Sequence, residues 1–304
     1  MQRLLTLVAA LPLVAGLAAA APKAPEELPP ERVRANFARP VVLGADDVRL
    51  FPEPPADYRA LPAQGLRGRL EPFEYGSAVT GTRRKAQVYL PPGYSPGTKY
   101  PVLYLLHGIA GNEHEWTGYV KAHAIVDKLI AAGKAVPMIV VMPNGRALPD
   151  DSPGLSPFAP EKAAGFARFE RDLLDHLMPA VQAAYATHTD RQHRGLAGLS
   201  MGGGQALNFG LGHLDTFAWV GAFSAAPNTR PPEALVPDAA TARAQIKLLY
   251  LSCGNRDGLI NVSQRTHRHL QQQGVPHLWN VDDHGHDGEA WGSNLYHFAQ
   301  RIFR

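Results

Sequence analysis

Short apolar runs separated by stretches of helical period make up the chain from residue 66 onward. Residues 102–106, 138–142, 196–199, 219–223, 247–252 and 277–281 are runs of four to six mostly apolar residues, the length of strands buried on both faces. Two further strands are predicted at 69–75 and 85–90, the second ending at the turn Pro91-Pro92-Gly93. Helices are predicted at 120–131, 166–185, 202–211, 262–273 and 289–303. Parallel strands need crossover connections, usually helical, so this alternation predicts an α/β fold: a mostly parallel sheet with helices on both faces. The stretch 150–164 carries Pro153, Gly154, Pro157 and Pro160 and is expected to be a long loop, a lid or a substrate wall.

The pattern is absent before residue 66. Met1-Gln2-Arg3 leads into an apolar run over 4–17, and Ala18-Ala19-Ala20-Ala21-Pro22 follows. A basic start, a short apolar stretch and small residues at its end predict a secretory signal peptide over 1–20, cleaved near Ala20, and hence a secreted or periplasmic protein. Residues 21–65, with Pro29-Pro30 and Pro52-Glu53-Pro54-Pro55, read as a loosely attached Pro-rich arm or linker, and 66–304 as one large domain.

Charge and cysteine content narrow the partners. A net charge of +3, without a block of Lys and Arg, argues against nucleic acid. No membrane association is expected once the signal is removed, and the oligomeric state is left open. Cys253 is the only cysteine, so no intramolecular disulfide can form; following the apolar run 248–251, it is expected to be a buried packing residue.

The strongest chemical signal is Gly198-Leu199-Ser200-Met201-Gly202, between a predicted strand and a predicted helix. A serine on such a sharp turn needs small neighbours two residues either side, which is the nucleophile elbow of the α/β-hydrolase fold. Its hydroxyl becomes nucleophilic only when a histidine takes the proton and a carboxylate orients that histidine, in the chain order Ser, Asp or Glu, His. Asp257, in the turn after the 247–252 strand, is the expected acid. The base is His284 or His286, both after the last strand, and Gly285 and Gly288 slightly favour His286. Asp282, Asp283 and Asp287 are rival acids, and His284, His286 and Asp287 a rival metal set. No second ligand cluster stands at metal spacing, so neither metal nor cofactor is expected. Two backbone N–H groups should form the oxyanion hole: that of Met201 after the nucleophile, and that of Ile109 in His107-Gly108-Ile109-Ala110-Gly111.

These residues carry a resemblance. Leu106-His107-Gly108-Ile109-Ala110-Gly111, Trp116, Val141-Met142-Pro143-Asn144-Gly145, Gly198-Leu199-Ser200-Met201-Gly202-Gly203, Cys253-Gly254-Asn255-Arg256-Asp257 and Gly285-His286-Asp287 resemble family-one carbohydrate esterases. These are the feruloyl and acetylxylan esterases, related more distantly to esterase D and the mycolyltransferases. The resemblance runs from about Leu66 to Arg304 and implies Ser200 as nucleophile, Asp257 as acid, His286 as base, and Ile109 and Met201 at the oxyanion hole. It further implies a feruloyl or acetyl ester of plant cell-wall xylan, or an oligosaccharide from it, as substrate. Trp116, Phe158 and Trp291 are candidates for an aromatic wall around the acyl or sugar group, with burial in the core as the alternative. Rival functions are an acyltransferase, a general small-ester esterase of the esterase D type, and a non-catalytic binding module on the same fold.

Overall fold

Strands whose side chains alternate between two helical layers need apolar residues at nearly every position, and the central strands of this protein have them. The computed structural model describes Glu31, Ala35 and residues 38–304. The expected signal peptide and its cleavage point near Ala20 lie outside the described residues. β1 (Arg69–Ser77), β2 (Thr82–Leu90), β3 (Val102–Leu106), β4 (Ile139–Pro143), β5 (Arg194–Leu199), β6 (Trp219–Phe223), β7 (Leu248–Gly254) and β8 (Leu278–Asp282) form one sheet in the order β1-β2-β4-β3-β5-β6-β7-β8. β1 pairs antiparallel with β2 and β2 with β4; all the other pairs are parallel. This is the expected α/β-hydrolase architecture.

Among residues 38–304 the α-helices are α1 (Ala122–Ala131), α2 (Pro160–Asp172), α3 (Met178–Ala184), α4 (Met201–Gly212), α5 (Pro232–Leu235), α6 (Ala239–Gln245), α7 (Ile260–Gln272) and α8 (Gly288–Ala299). On one face Leu103 and Leu105 of β3, Ala197 and Leu199 of β5 and Phe223 of β6 pack against Ile125 and Leu129 of α1 and Leu295 and Phe298 of α8. The intervening residues Tyr104, Leu106 and Leu196 point the other way, onto Phe169 of α2 and Ala206 and Phe209 of α4. The period-two alternation thus serves two cores at once.

Three sequence expectations change. α2 begins at Pro160, so the loop after β4 is shorter than 150–164: proline suits the first helical turn, where its missing N–H costs nothing. The helix expected over 166–185 is α2 and α3 joined through a π-helical turn at Leu173–Leu177. The arm is not loose along its described part. Val281 N–H donates to the Val48 carbonyl (3.0 Å), Leu50 N–H to Asn280 Oδ1 (2.9 Å) and the Trp279 indole to Asp47 Oδ1 (2.9 Å). Phe51 stacks on His297, with ring centroids 4.8 Å apart. These residues form no regular element, yet they cover the open edge of β8 by individual contacts.

Candidate active site

The nucleophile elbow is built from close backbone approach. Ser200, between β5 and α4, has φ 52° and ψ −118°, a conformation an L-residue holds only when its surroundings impose it. A Cβ at Gly198 would lie 2.3 Å from the Gly202 carbonyl oxygen, and one at Gly202 would lie 2.4 Å from that of Leu106. Neither position admits a side chain, which is why the G-x-S-x-G spacing is legible in sequence. Ser200 N–H donates to the Phe223 carbonyl of β6 (2.9 Å), tying the turn to the neighbouring strand.

The three residues expected to form the triad converge. His286 Nε2 lies 2.9 Å from Ser200 Oγ, and His286 Nδ1 lies 2.7 Å from Asp257 Oδ2. Asp257, in the turn after β7, is almost wholly buried, and its other oxygen accepts the Leu259 N–H (2.8 Å). Burial alone would raise its pKa. The hydrogen bond and charge of His286, the Leu259 N–H and the Ser224 hydroxyl outweigh burial, so the carboxyl sits below its ordinary value. It is therefore an anion at neutral pH, able to orient the imidazole and to stabilise an imidazolium.

The rivals have other work. His284 Nε2 lies 3.3 Å from Glu53 of the arm. Asp282 is buried and accepts from His284 N–H and the Asn294 side chain. Asp283 pairs with Arg49 (2.6 Å), and Asp287 caps α8 by accepting the Glu289 and Ala290 N–H groups. His286 is committed to Ser200 and Asp257, so the His284, His286 and Asp287 metal set does not assemble. Cys253 is buried, as expected, and burial pushes its thiol well above the ordinary range, so it stays protonated.

The loop after β3 lies against the nucleophile: a Cβ on Gly108 would be 3.4 Å from that of Ser200. Among the described residues no group of the chain takes the N–H of Ile109 or that of Met201, the first residue of α4. Both remain available to a substrate oxygen, and the Met201 N–H adds the positive end of the α4 dipole.

The aromatic wall needs correction. Trp116 is 1% exposed, donates its indole N–H to the Leu106 carbonyl (2.9 Å) and packs edge-on to Phe223. It supports the loop from beneath. Trp291 is also buried and stands edge-on to the His286 ring, centroids 5.1 Å apart, which makes it a brace for that ring. Phe158 is half-buried in the segment leading into α2. The half-exposed aromatic beside the site is one sequence reasoning passed over: Tyr119 meets Trp291 edge-on and accepts the Gly288 N–H (3.2 Å).

Also missed were the groups that hold the loop after β3. The Glu115 carboxylate accepts the Gly108 N–H (2.7 Å), and burial raises its pKa. The buried Arg146 guanidinium donates to the Ile109 carbonyl (2.5 Å) and the Asp151 carbonyl (2.7 Å). The available signal was the Asn144-Gly145-Arg146 run directly after the β4 strand, a loop at the same end of the sheet as Ser200.

A family model described as "Putative esterase" matches residues 77–300. The chain belongs to this esterase family. An endo-1,4-beta-xylanase/feruloyl esterase of Xylanibacter ruminicola is 30% identical over 260 residues, covering 84% of this esterase but only 34% of the relative. The esterase thus spans about a third of that relative's length. Among solved structures, a CE1 ferulic acid esterase of Anaeromyces mucronatus, in complex with ferulic acid, aligns with a TM-score of 0.73 at 28% identity. That alignment covers 83% of the esterase and 96% of the other chain. An S-formylglutathione hydrolase of Staphylococcus aureus, at 20% identity and TM-score 0.62, shares the fold over 80% of the esterase and 99% of its own chain. The resemblance to family-one carbohydrate esterases is borne out.

Proposed function

We propose that this esterase hydrolyses carboxylic esters through an acyl-enzyme on Ser200 and removes feruloyl groups from xylan or its oligosaccharides. The observation that carries the chemistry is the continuous relay Ser200 Oγ, His286, Asp257, at 2.9 and 2.7 Å. Ser200 Oγ attacks the ester carbonyl carbon while His286 Nε2 takes its proton. Asp257 steadies the imidazolium, and the N–H groups of Ile109 and Met201 hold the oxyanion. The alcohol leaves with the proton from His286, and water, activated by the same histidine, releases the acid. These steps call for no cofactor.

Similarity to the feruloyl esterase relatives supports the acyl group, and the N-terminal sequence pattern supports export to where such a polymer is found. On methyl ferulate, Ser200→Ala should lower kcat by at least about 10⁴-fold. Retention of wild-type activity would overturn the nucleophile. Hydrolysis of methyl ferulate should outpace release of acetate from acetylated xylan, and the reverse order would overturn the feruloyl assignment.

A further inference from the structure

We propose that His107, as a neutral imidazole carrying its proton on Nδ1, sets the orientation of the Gly108–Ile109 peptide and thereby aims the Ile109 N–H at the reacting carbonyl. The inference rests on the reading of Ile109 as an oxyanion donor and adds a positioning residue that never touches the substrate. His107 is fully buried at the end of β3, its ring edge-on to Phe166. Its Nδ1 lies 2.6 Å from the Gly108 carbonyl oxygen, and the Gly145 N–H points at its Nε2 from 2.8 Å.

These two contacts fix the tautomer. The Gly145 N–H can only donate, so Nε2 must offer a lone pair; the Gly108 oxygen can only accept, so Nδ1 must carry the hydrogen. The other tautomer would set a lone pair against an oxygen at 2.6 Å and an N–H against an N–H at 2.8 Å. It would gain only the 3.2 Å approach to Asn144 Oδ1, an atom that already accepts the Arg146 N–H (3.1 Å). An imidazolium would keep the Gly145 conflict.

The consequence follows from peptide planarity. In a trans peptide the C=O and the following N–H point in opposite directions. Holding the Gly108 oxygen against His107 Nδ1, with the Gly111 N–H adding a longer bond (3.1 Å), turns the Ile109 N–H to the opposite side. That is the side on which no group among the described residues takes it. Gly108 itself lies against Ser200, so a donor held at fixed angle there meets the developing oxyanion without reorganisation.

Two substitutions separate positioning from mere packing, because each keeps one of the two contacts. His107→Asn retains a donor where Nδ1 stands and loses the Gly145 contact. His107→Gln extends an acceptor to where Nε2 stands and loses the donor to Gly108. On methyl ferulate, H107Q should lower kcat about 10- to 100-fold with KM within about twofold, less than loss of an entire oxyanion donor. H107N should stay within about fivefold of wild type. A structural role alone would reverse that order, so wild-type kcat in folded H107Q, or equal damage in both folded variants, would overturn the inference. Neutron diffraction on the deuterated wild-type protein gives a second reading that needs no variant to fold: a deuteron on Nδ1 is expected, and one on Nε2 would overturn it. Ser200→Ala keeps the failures apart. If it is inactive while H107Q has wild-type kcat, only the role of His107 falls; if it is active, the triad falls first.

Discussion

Two histidines separated by Gly285, His284 and His286, lie on the same loop after β8, and only one of them meets the serine. The difference is angular. His286 faces Ser200 and Asp257 while His284 faces Glu53 of the arm, although Gly285 between them takes no positive φ. Spacing in the sequence narrowed the base to this pair, and the resemblance chose between them; the ring positions agree. His284→Ala should therefore retain most of the wild-type kcat on methyl ferulate, and a loss beyond tenfold would show that it takes part in the relay. Asp257→Asn keeps the shape of the side chain but offers the imidazole an amide in place of an anion, favouring the wrong tautomer. A fall in kcat of about 10⁴-fold is expected, and a fall of less than tenfold would remove Asp257 from the triad. Trp116 was the residue least legible in sequence. A tryptophan after a catalytic loop suits a pocket wall and a buried support equally well, and only the direction of its indole, onto the Leu106 carbonyl, separates the two.

The central strands were legible because burial on both faces leaves a signature of four or more mostly apolar residues that loops do not share. α5 and α6 were not, since helices of four and seven residues are too short to show a helical period. The arm was obscured for a different reason: many of its contacts, such as those of Asp47, Val48 and Leu50, reach residues more than 200 positions away in the chain, and a Pro-rich segment has no internal pattern to reveal them. Asp47 is the clearest anchor, accepting from the Trp279 indole and the Gln264 amide while mostly buried. Asp47→Ala leaves both donors without that partner and should cost about 1–3 kcal/mol of stability, read as a lower urea midpoint. An unchanged midpoint would mean the arm contributes nothing to folding. Arm residues also meet the loops that carry the triad, Arg49 at Asp283 and Glu53 at His284, so the same variant tests whether the edge of β8 supports the base.

Across the whole molecule, burial has been imposed on several groups that would ionise in water, and this sets the pH response. His107 and His297 are held down to about 4 by burial, from an ordinary value of 6.5. Between those values the unfolded chain binds protons that the native protein refuses. The stability these residues contribute is therefore complete above about pH 6.5 and is lost as the pH falls toward 4. The urea midpoint should be lower at pH 5 than at pH 7, and His297→Gln, which preserves a donor for the Pro52 carbonyl, should make that fall shallower. A midpoint that rises on acidification would contradict the burial account. The candidate site is built by the same sheet: β3, β5 and β7 end at the loop of Ile109, the turn of Ser200 and the turn of Asp257, and the loop after β8 carries His286. The chemistry of the whole assembly comes down to whether Ser200 is an activated nucleophile. The most direct measurement is reaction with a fluorophosphonate followed by peptide mass mapping. A single adduct on the peptide containing Ser200, strongly diminished in His286→Ala, is the expected result; an active enzyme that takes no label, or takes it on another residue, would contradict the account.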